Sequence, residues 1–340
     1  MCTSKKIFKG LLIGCVSLVC VGSVGAQEKN WDVTPYGSLR LQANYSSVDH
    51  ARPGADDSYI GFTDAYSRVG VRGHYTVNDN LTLSSQLEVS INLPEFKAED
   101  PTFFDDDAVR VKKVAASGKW GSVWIGKGWL PYYNNIAYPV DMFSSFYSGY
   151  ATYAYFREDA AVYSSPRIYG FKGTAARVKR TPGNERGYQG VISYAHEGLT
   201  LALAVEDMAA EDDHDTYGGA VTYTHGPWYG ALKYERYDNA ADDDIANIFV
   251  SYAADKFTYK AMIADGDLWG KEYTTGHIGV DYQYNQPAKF FVELFYESNN
   301  YAILDKKADS AGDYLGGGTW SGPDSETDGT SLAVGVRYDF

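Results

Sequence analysis

Six histidines (His50, His74, His196, His214, His225, His277) are scattered along the 340-residue chain, and its three cysteines (Cys2, Cys15, Cys20) fall in the first twenty positions. There is no HExxH, no GxSxG and no later cysteine, so no motif signals a metal-activated water or an acyl-enzyme nucleophile. No phosphate-cradling glycine loop or metal-ligand spacing appears either. The polar groups that stand out are Arg40, Arg68 and Arg72, each on the hydrophilic parity of an alternating segment. The stretch 128–158 stands out as well, with eleven aromatic rings: Trp129, Tyr132, Tyr133, Tyr138, Phe143, Phe146, Tyr147, Tyr150, Tyr153, Tyr155 and Phe156. Guanidinium groups trade hydration for contact with polar solutes, and rings stack or bury. That is the chemistry of selection rather than of bond breaking.

The elements carrying these groups are strands. In 81–92, Leu81, Leu83, Leu87, Val89 and Ile91 share one parity, and Thr82, Ser84, Gln86, Glu88, Ser90 and Asn92 hold the other. A strand points successive side chains to opposite faces, so this pattern gives one apolar and one wet face, whereas a helical period would mix them. Leu39, Leu41, Ala43 and Tyr45 against Ser38, Arg40, Gln42 and Asn44 repeat it, as do Leu199, Leu201, Leu203 and Val205. The pattern predicts sixteen strands, near 36–46, 66–75, 81–92, 107–116, 120–127, 159–165, 170–181, 187–196, 199–206, 216–225, 227–237, 244–253, 256–264, 273–284, 288–298 and 330–340.

The expected connections alternate in length. Long ones (47–65, 93–106, 128–158, up to 299–329) are separated by tight ones (76–80, 117–119, 166–169, Glu197-Gly198, Gly226-Pro227, Ala254-Asp255, Asn285-Gln286-Pro287). Short turns at one rim and long loops at the other mark a membrane β-barrel, and a soluble sandwich has no reason to segregate them. Tyrosines near strand ends on the apolar parity (Tyr45, Tyr75, Tyr223, Tyr252, Tyr284, Tyr296) suit an interfacial girdle. The chain ends on Phe340, in phase with Leu332, Val334, Val336 and Tyr338.

Composition agrees. Thirty Lys+Arg against 44 Asp+Glu leave a net charge of −14, which argues against nucleic acid as a partner because phosphate binding needs a basic face. Lys5, Lys6 and Lys9, the apolar run Leu11–Val21 and the small residues Val24-Gly25-Ala26 read as a secretory signal peptide over 1–26, leaving 27–340 as a single barrel domain. That mature part carries a charge of −17 and no cysteine, so a disulfide scaffold is excluded and the Gram-negative outer membrane is the expected destination.

The chain resembles the Gram-negative general porins, the trimeric sixteen-stranded family. The matching stretches are PYGSLRLQANY (35–45), SRVGVRGHY (67–75), NDNLTLSSQLE (78–88), GSVWIGKGWLPYY (121–133), YFREDAAVYSSP (155–166) and LAVGVRYDF (332–340). It departs at Lys127, where the family usually carries Arg, and at Glu158-Asp159, in place of Asp-Asn. The resemblance implies a homotrimer without cofactor, passing small hydrophilic solutes and ions, in contact with outer-membrane lipid and lipopolysaccharide.

The resemblance also implies that 128–158 folds into the lumen as a constriction loop. Asp141, Glu158 and Asp159 would then supply an acidic side, facing Arg40, Arg68, Arg72, Lys112 and Lys127. Sixteen strands enclose a lumen of roughly 20 Å, too wide to sieve nutrients unless something narrows it. In a sugar-selective variant of the design, Trp129, Tyr132 and Tyr133 would form a track for an oligosaccharide. The acidic clusters Asp56-Asp57, Glu99-Asp100, Asp105-Asp106-Asp107, Glu211-Asp212-Asp213 and Asp242-Asp243-Asp244 lie at the expected outer mouth, where they would enrich cations or bind divalent ions; mild cation selectivity is the expectation. A barrel adhesin or hydrolase is the remaining alternative, though no Ser–His or acidic constellation on one rim supports an enzyme.

Overall fold

The computed structural model describes residues 31–48, 58–98, 108–145, 147, 152–179, 186–208, 214–238, 242–267, 272–298 and 328–340. The expected signal peptide and every acidic cluster except Asp242–Asp244 lie outside these residues. Seventeen strand segments follow one another: β1 (Trp31–Val48), β2 (Ser58–Asp64), β3 (Arg68–Asn78), β4 (Leu81–Ser90), β5 (Val109–Gly118), β6 (Gly121–Trp129), β7 (Arg157–Ser164), β8 (Phe171–Lys179), β9 (Arg186–His196), β10 (Leu199–Met208), β11 (His214–His225), β12 (Trp228–Tyr237), β13 (Asp244–Ala254), β14 (Phe257–Asp267), β15 (Glu272–Gln283), β16 (Ala288–Glu297) and β17 (Gly329–Asp339). β2 and β3 both pair with β1, every later segment pairs antiparallel with the one before it, and β1 pairs with β17, which closes the ring.

Seventeen segments make sixteen staves. β2 pairs with Leu41–Ser47 of β1, and β3 pairs with Trp31–Ser38 of the same strand. β2 and β3 are therefore two halves of one stave, interrupted at 65–67, where Tyr66 takes φ 67°. The break is stitched back to β1: Ala65 N–H donates to the Arg40 carbonyl (3.1 Å), Arg40 N–H to Ser67 Oγ (2.7 Å), and Ser67 N–H to Asp64 Oδ1 (2.6 Å). β2 corrects the sequence expectation, which placed it inside the connection 47–65. With only Ile60 and Phe62 on its outward parity, it is too short for periodicity to detect.

Burial is inverted relative to a soluble protein. On β10, Leu201, Leu203 and Val205 are exposed outward while Ala202, Ala204 and Glu206 are buried inside; on β12, Leu232 and Tyr234 are exposed while Lys233 and Glu235 are fully buried. Apolar side chains around the whole circumference have only lipid as their natural solvent. The tight connections, including Glu197-Gly198 with both residues at positive φ as a two-residue hairpin turn requires, gather at one rim. The C-terminus closes that rim, with Gly37 and Phe340 exchanging backbone hydrogen bonds of 2.9 and 3.0 Å. Tyr45, Tyr75, Tyr223, Tyr284 and Tyr296 face outward as expected, and Tyr252 packs on Trp228 with ring centroids 4.6 Å apart.

Candidate functional site

After Trp129 the chain leaves the wall and turns into the lumen through two short helical turns, Tyr133–Ala137 and Tyr138–Val140, before rejoining the barrel at Arg157. Its side chains dock along the inner face of one half of the barrel. Leu130 packs on Ala160, Val162, Ala176 and Val178. Tyr132, Ile136 and Ala154 pack on Val191, Ala202, Ala204 and Ala220. Val140 and Phe143 meet Ala231, Phe249 and Met262; Tyr153 meets Ile245, Ala264 and Tyr273; Tyr147 stacks on Phe295 at 5.4 Å. The alanines explain the fit: small residues at inward positions leave space that the loop's rings fill.

Buried carboxylates of the wall fix the loop backbone. Glu293 accepts the N–H groups of Ser144 and Ser145, both at 2.8 Å; Glu206 accepts that of Tyr155 at 3.0 Å; Glu235 accepts the Thr152 hydroxyl at 2.9 Å. A loop away from bulk water must satisfy its N–H groups, and an ionised carboxylate accepts several at once. Lysines compensate the charge, with Lys260 at 2.8 Å from Glu293 and 2.9 Å from Asp281, and Lys233 at 2.9 Å from Glu235.

The uncovered half of the wall, on β17, β1, β3, β4 and β5, is basic. Arg40 stands opposite Arg337 in register, and Arg68 pairs with Ser38 on the same side. Arg110 donates from Nε to Glu88 at 3.0 Å, and Arg337 is bound to Asp339 at 2.7 Å. Arg72 lies 3.9 Å over the Tyr36 ring, and Lys113 sits 5.1 Å from that of Trp124. From the loop, Asp141 enters the field of Arg40 and Arg68. Tyr133 O–H donates to it at 2.6 Å. Desolvation beside the loop raises the Asp141 pKa to about 6, against the pull of the Tyr133 hydrogen bond and the two arginines.

The structure thus brings Asp141 into the field of Arg40 and Arg68, with Arg72 further along the same wall. Lys112 is a correction. β4 and β5 slip register at a bulge, where Val89 faces Val109 but Glu88 faces Val111, so Arg110 is the extra residue and the inward set becomes Arg110, Val111 and Lys113. Lys112 then pairs with outward Leu87 on one side and with Lys127 on the other, and Lys127 in turn with Asp159. Lys112 is exposed on the outward side with Val114, whereas Lys127, which follows Gly126 at φ 122°, is buried at 6% exposure. Glu158 pairs with Gly128 on the wall at the base of the loop.

Of the candidate sugar track, Tyr132 and Tyr133 are 0% and 6% exposed and both buried, while Trp129, half-buried, stacks on Tyr133 at 4.8 Å. Tyr138, 51% exposed, extends this group, 6.0 Å from Tyr133. Sequence reasoning missed Arg110, Lys113, Glu88 and the Arg337–Asp339 pair on this inward wall. The hydrophilic parity of 330–340 already carried the signal for the Arg337–Asp339 pair, and Arg110 shared the parity of Lys112; the bulge concealed Lys113.

A model of the Gram-negative porin family matches residues 15–340. A chitoporin of Vibrio furnissii is 27% identical over 228 residues, which cover 59% of this chain and 58% of that protein, so the chain spans rather less than two thirds of this relative's length. Among solved structures, an anion-selective porin from Comamonas acidovorans is similar at TM-score 0.66 and 18% identity, over 91% of this chain and 100% of that one. Salmonella typhi OmpF in complex with daunomycin is similar at TM-score 0.69 and 15% identity, over 93% and 99%. The in-vitro folded trimer form of Vibrio cholerae OmpT is similar at TM-score 0.62 and 18% identity, over 91% and 99%.

Proposed function

This chain belongs to the Gram-negative porin family, and from that premise we propose that it is a water-filled outer-membrane channel through which small hydrophilic solutes and ions diffuse passively. One observation carries the reading: an inward loop fills half of a lumen too wide to sieve, leaving a neck between Asp141 and an arginine-lined wall. Charge on both sides of such a neck replaces part of a solute's hydration, which admits small polar molecules and disfavours apolar or bulky ones. Neither a cofactor nor energy coupling enters. Planar-bilayer recording tests the proposal. Ohmic steps, with liposome swelling that falls steeply with solute size, support it; purified protein that inserts without conductance overturns it.

Assembly as a homotrimer, export by the segment 1–26 and contact with lipopolysaccharide belong to the same proposal. An outward groove lined by Trp31, Val33, Tyr75, Leu83, Val114 and Ile125 supports the trimer, since it offers apolar surface to a second barrel. The mild cation preference expected from the net charge rests on acidic clusters that mostly lie outside the described residues. Within those residues Asp242 is held by Arg236 at 2.6 Å, and Asp244 accepts from Tyr234 at 3.0 Å.

A second reading, an oligosaccharide-selective channel, is favoured by the accessible rings of Trp129 and Tyr138 on either side of buried Tyr133, and by similarity to a protein named chitoporin. Sugar-dependent interruption of single-channel current, abolished in Trp129→Ala, would support it; unmodulated current would leave the general channel.

A further inference from the structure

Two adjoining turns on the rim of tight connections differ from the others there. The turns at Asp79-Asn80, Glu197-Gly198, Gly226-Pro227, Asp255-Lys256 and Asn285-Gln286-Pro287 carry only polar residues, glycine and proline. Between β7 and β8, by contrast, Arg167, Ile168 and Tyr169 stand at the tip; Tyr169, at φ 49°, is 95% exposed and Ile168 59%. The β5–β6 turn beside it presents Lys119 and Trp120, both exposed. The two turns touch. A Cβ on Gly121 would run into the Ser164 carbonyl, Tyr163 O–H donates to the Trp120 carbonyl at 2.9 Å, and the Trp120 and Tyr163 rings stack. In a chain of net charge −14, this corner sets two cations among exposed apolar side chains.

Next to the corner the lipid-facing wall is indented. On the outward parity, Ala175 of β8 pairs with Tyr163 on one side and with Gly190 of β9 on the other, and Gly190 pairs with Val205 of β10. Gly173 lies one outward step nearer the turn, opposite Ile192. Two glycines and an alanine among larger neighbours leave an outward furrow of about 600 Å³, walled by Tyr163, Ile192 and Leu203. From Phe171 at the turn to Ala175 the strand covers about 14 Å, roughly the depth of one leaflet of hydrocarbon. The furrow thus begins at the cationic corner and occupies the half of the wall beside it. Arg177 and Tyr188, cross-strand partners, stand at its far end.

We propose that the furrow and the corner together bind one phospholipid of the periplasmic leaflet, with preference for an anionic headgroup. An acyl chain fills the indentation that Gly173, Ala175 and Gly190 leave, restoring contacts that side chains supply elsewhere on the wall. Trp120 and Tyr169 sit at headgroup depth, where amphipathic rings are favoured. Arg167 and Lys119 meet the phosphate, and the second negative charge of an anionic headgroup adds to their attraction. Tight turns mark the periplasmic rim of an outer-membrane barrel, which fixes the leaflet. This inference rests on the outer-membrane placement and not on what the channel conducts.

The test is native mass spectrometry of the purified full-length protein in non-ionic detergent, titrated separately with phosphatidylglycerol, phosphatidylethanolamine and lipid A. The wild type is expected to retain phosphatidylglycerol more tightly than phosphatidylethanolamine. Arg167→Gln and Lys119→Gln are each expected to weaken phosphatidylglycerol about fivefold, as loss of one cation beside an anionic headgroup implies, and to leave phosphatidylethanolamine almost unchanged. Ala175→Phe, which fills the furrow from the lipid side, should abolish retention of both phospholipids while the heat-sensitive folded band persists. Arg177→Gln should leave phosphatidylglycerol binding as it is. If Ala175→Phe fails to fold, the two glutamine variants, on exposed turns, still decide. Equal retention of the two phospholipids by the wild type, or phosphatidylglycerol binding insensitive to both turn variants, overturns the proposal. So does displacement of phosphatidylglycerol by lipid A that depends on Arg177, which would assign the furrow to the opposite leaflet. Conductance of the same preparation tests the channel reading separately, so either can fail without the other.

Discussion

Tyr132 stands directly over Gly218: a Cβ built on that glycine would lie 2.3 Å from the phenolic oxygen and 2.9 Å from a methyl carbon of Ile136. The contact holds the first turn of the inward loop against β11. Gly218→Val is expected to push Tyr132 off the wall and cost about 1–3 kcal/mol by overpacking. Thermal unfolding in detergent reads the loss, and single-channel records should show unequal, fluctuating step heights in place of one conductance.

Glu293 anchors the middle of the loop through both carboxylate oxygens while neutralising Lys260. Glu293→Gln removes the charge and one acceptor together. A buried pair broken on one side costs about 3–5 kcal/mol. The variant should lose its folded, slow-migrating band at lower temperature than the wild type on unheated gels. Unchanged migration would show that the remaining anchors hold the loop alone.

The neck should respond to mild acid. Asp141 has its pKa raised to about 6, so it is ionised above that value and neutral below it. As the pH falls through 6, the arginine wall loses its opposing negative charge and the anion-to-cation permeability ratio should rise. Asp141→Asn should show the acid ratio at every pH between about 5 and 8. A wild-type ratio flat across that range would contradict the assignment.

The seam between first and last strands offers a folding test. A Cβ on Gly37 would lie 2.4 Å from the Phe340 ring, whose backbone is paired to that same glycine. Gly37→Leu should therefore reduce the yield of closed barrel on refolding from denaturant into detergent, read as the fraction of protein that regains the heat-sensitive folded band; an unchanged yield would contradict the role of this contact.

Much of this fold is written in alternation. The staves, their apolar outer face and the division into tight and long connections all follow from a period of two and from turn residues such as Glu197-Gly198. Where the period is broken, reading stops. The bulge at Arg110 turned the inward side chains by one position, so the parity that Arg110 sets pointed to Lys112 in place of Lys113. The interruption at 65–67 hid β2. The loop's placement has no local signal at all; only its eleven rings said that it must be buried somewhere. Glu206, Glu235 and Glu293 sit on the hydrophilic parity like any water-facing residue, and nothing in the sequence separates a carboxylate that meets water from one that meets a loop.

The bore of this protein is set by a strip of chain laid against the inside of the tube, not by the number or tilt of its staves. Re-gauging the aperture therefore needs changes only in that strip and in the alanines and carboxylates beneath it. The lipid-facing exterior and the hydrogen-bonded hoop stay untouched, so filters of quite different calibre are open to descendants of this same cylinder.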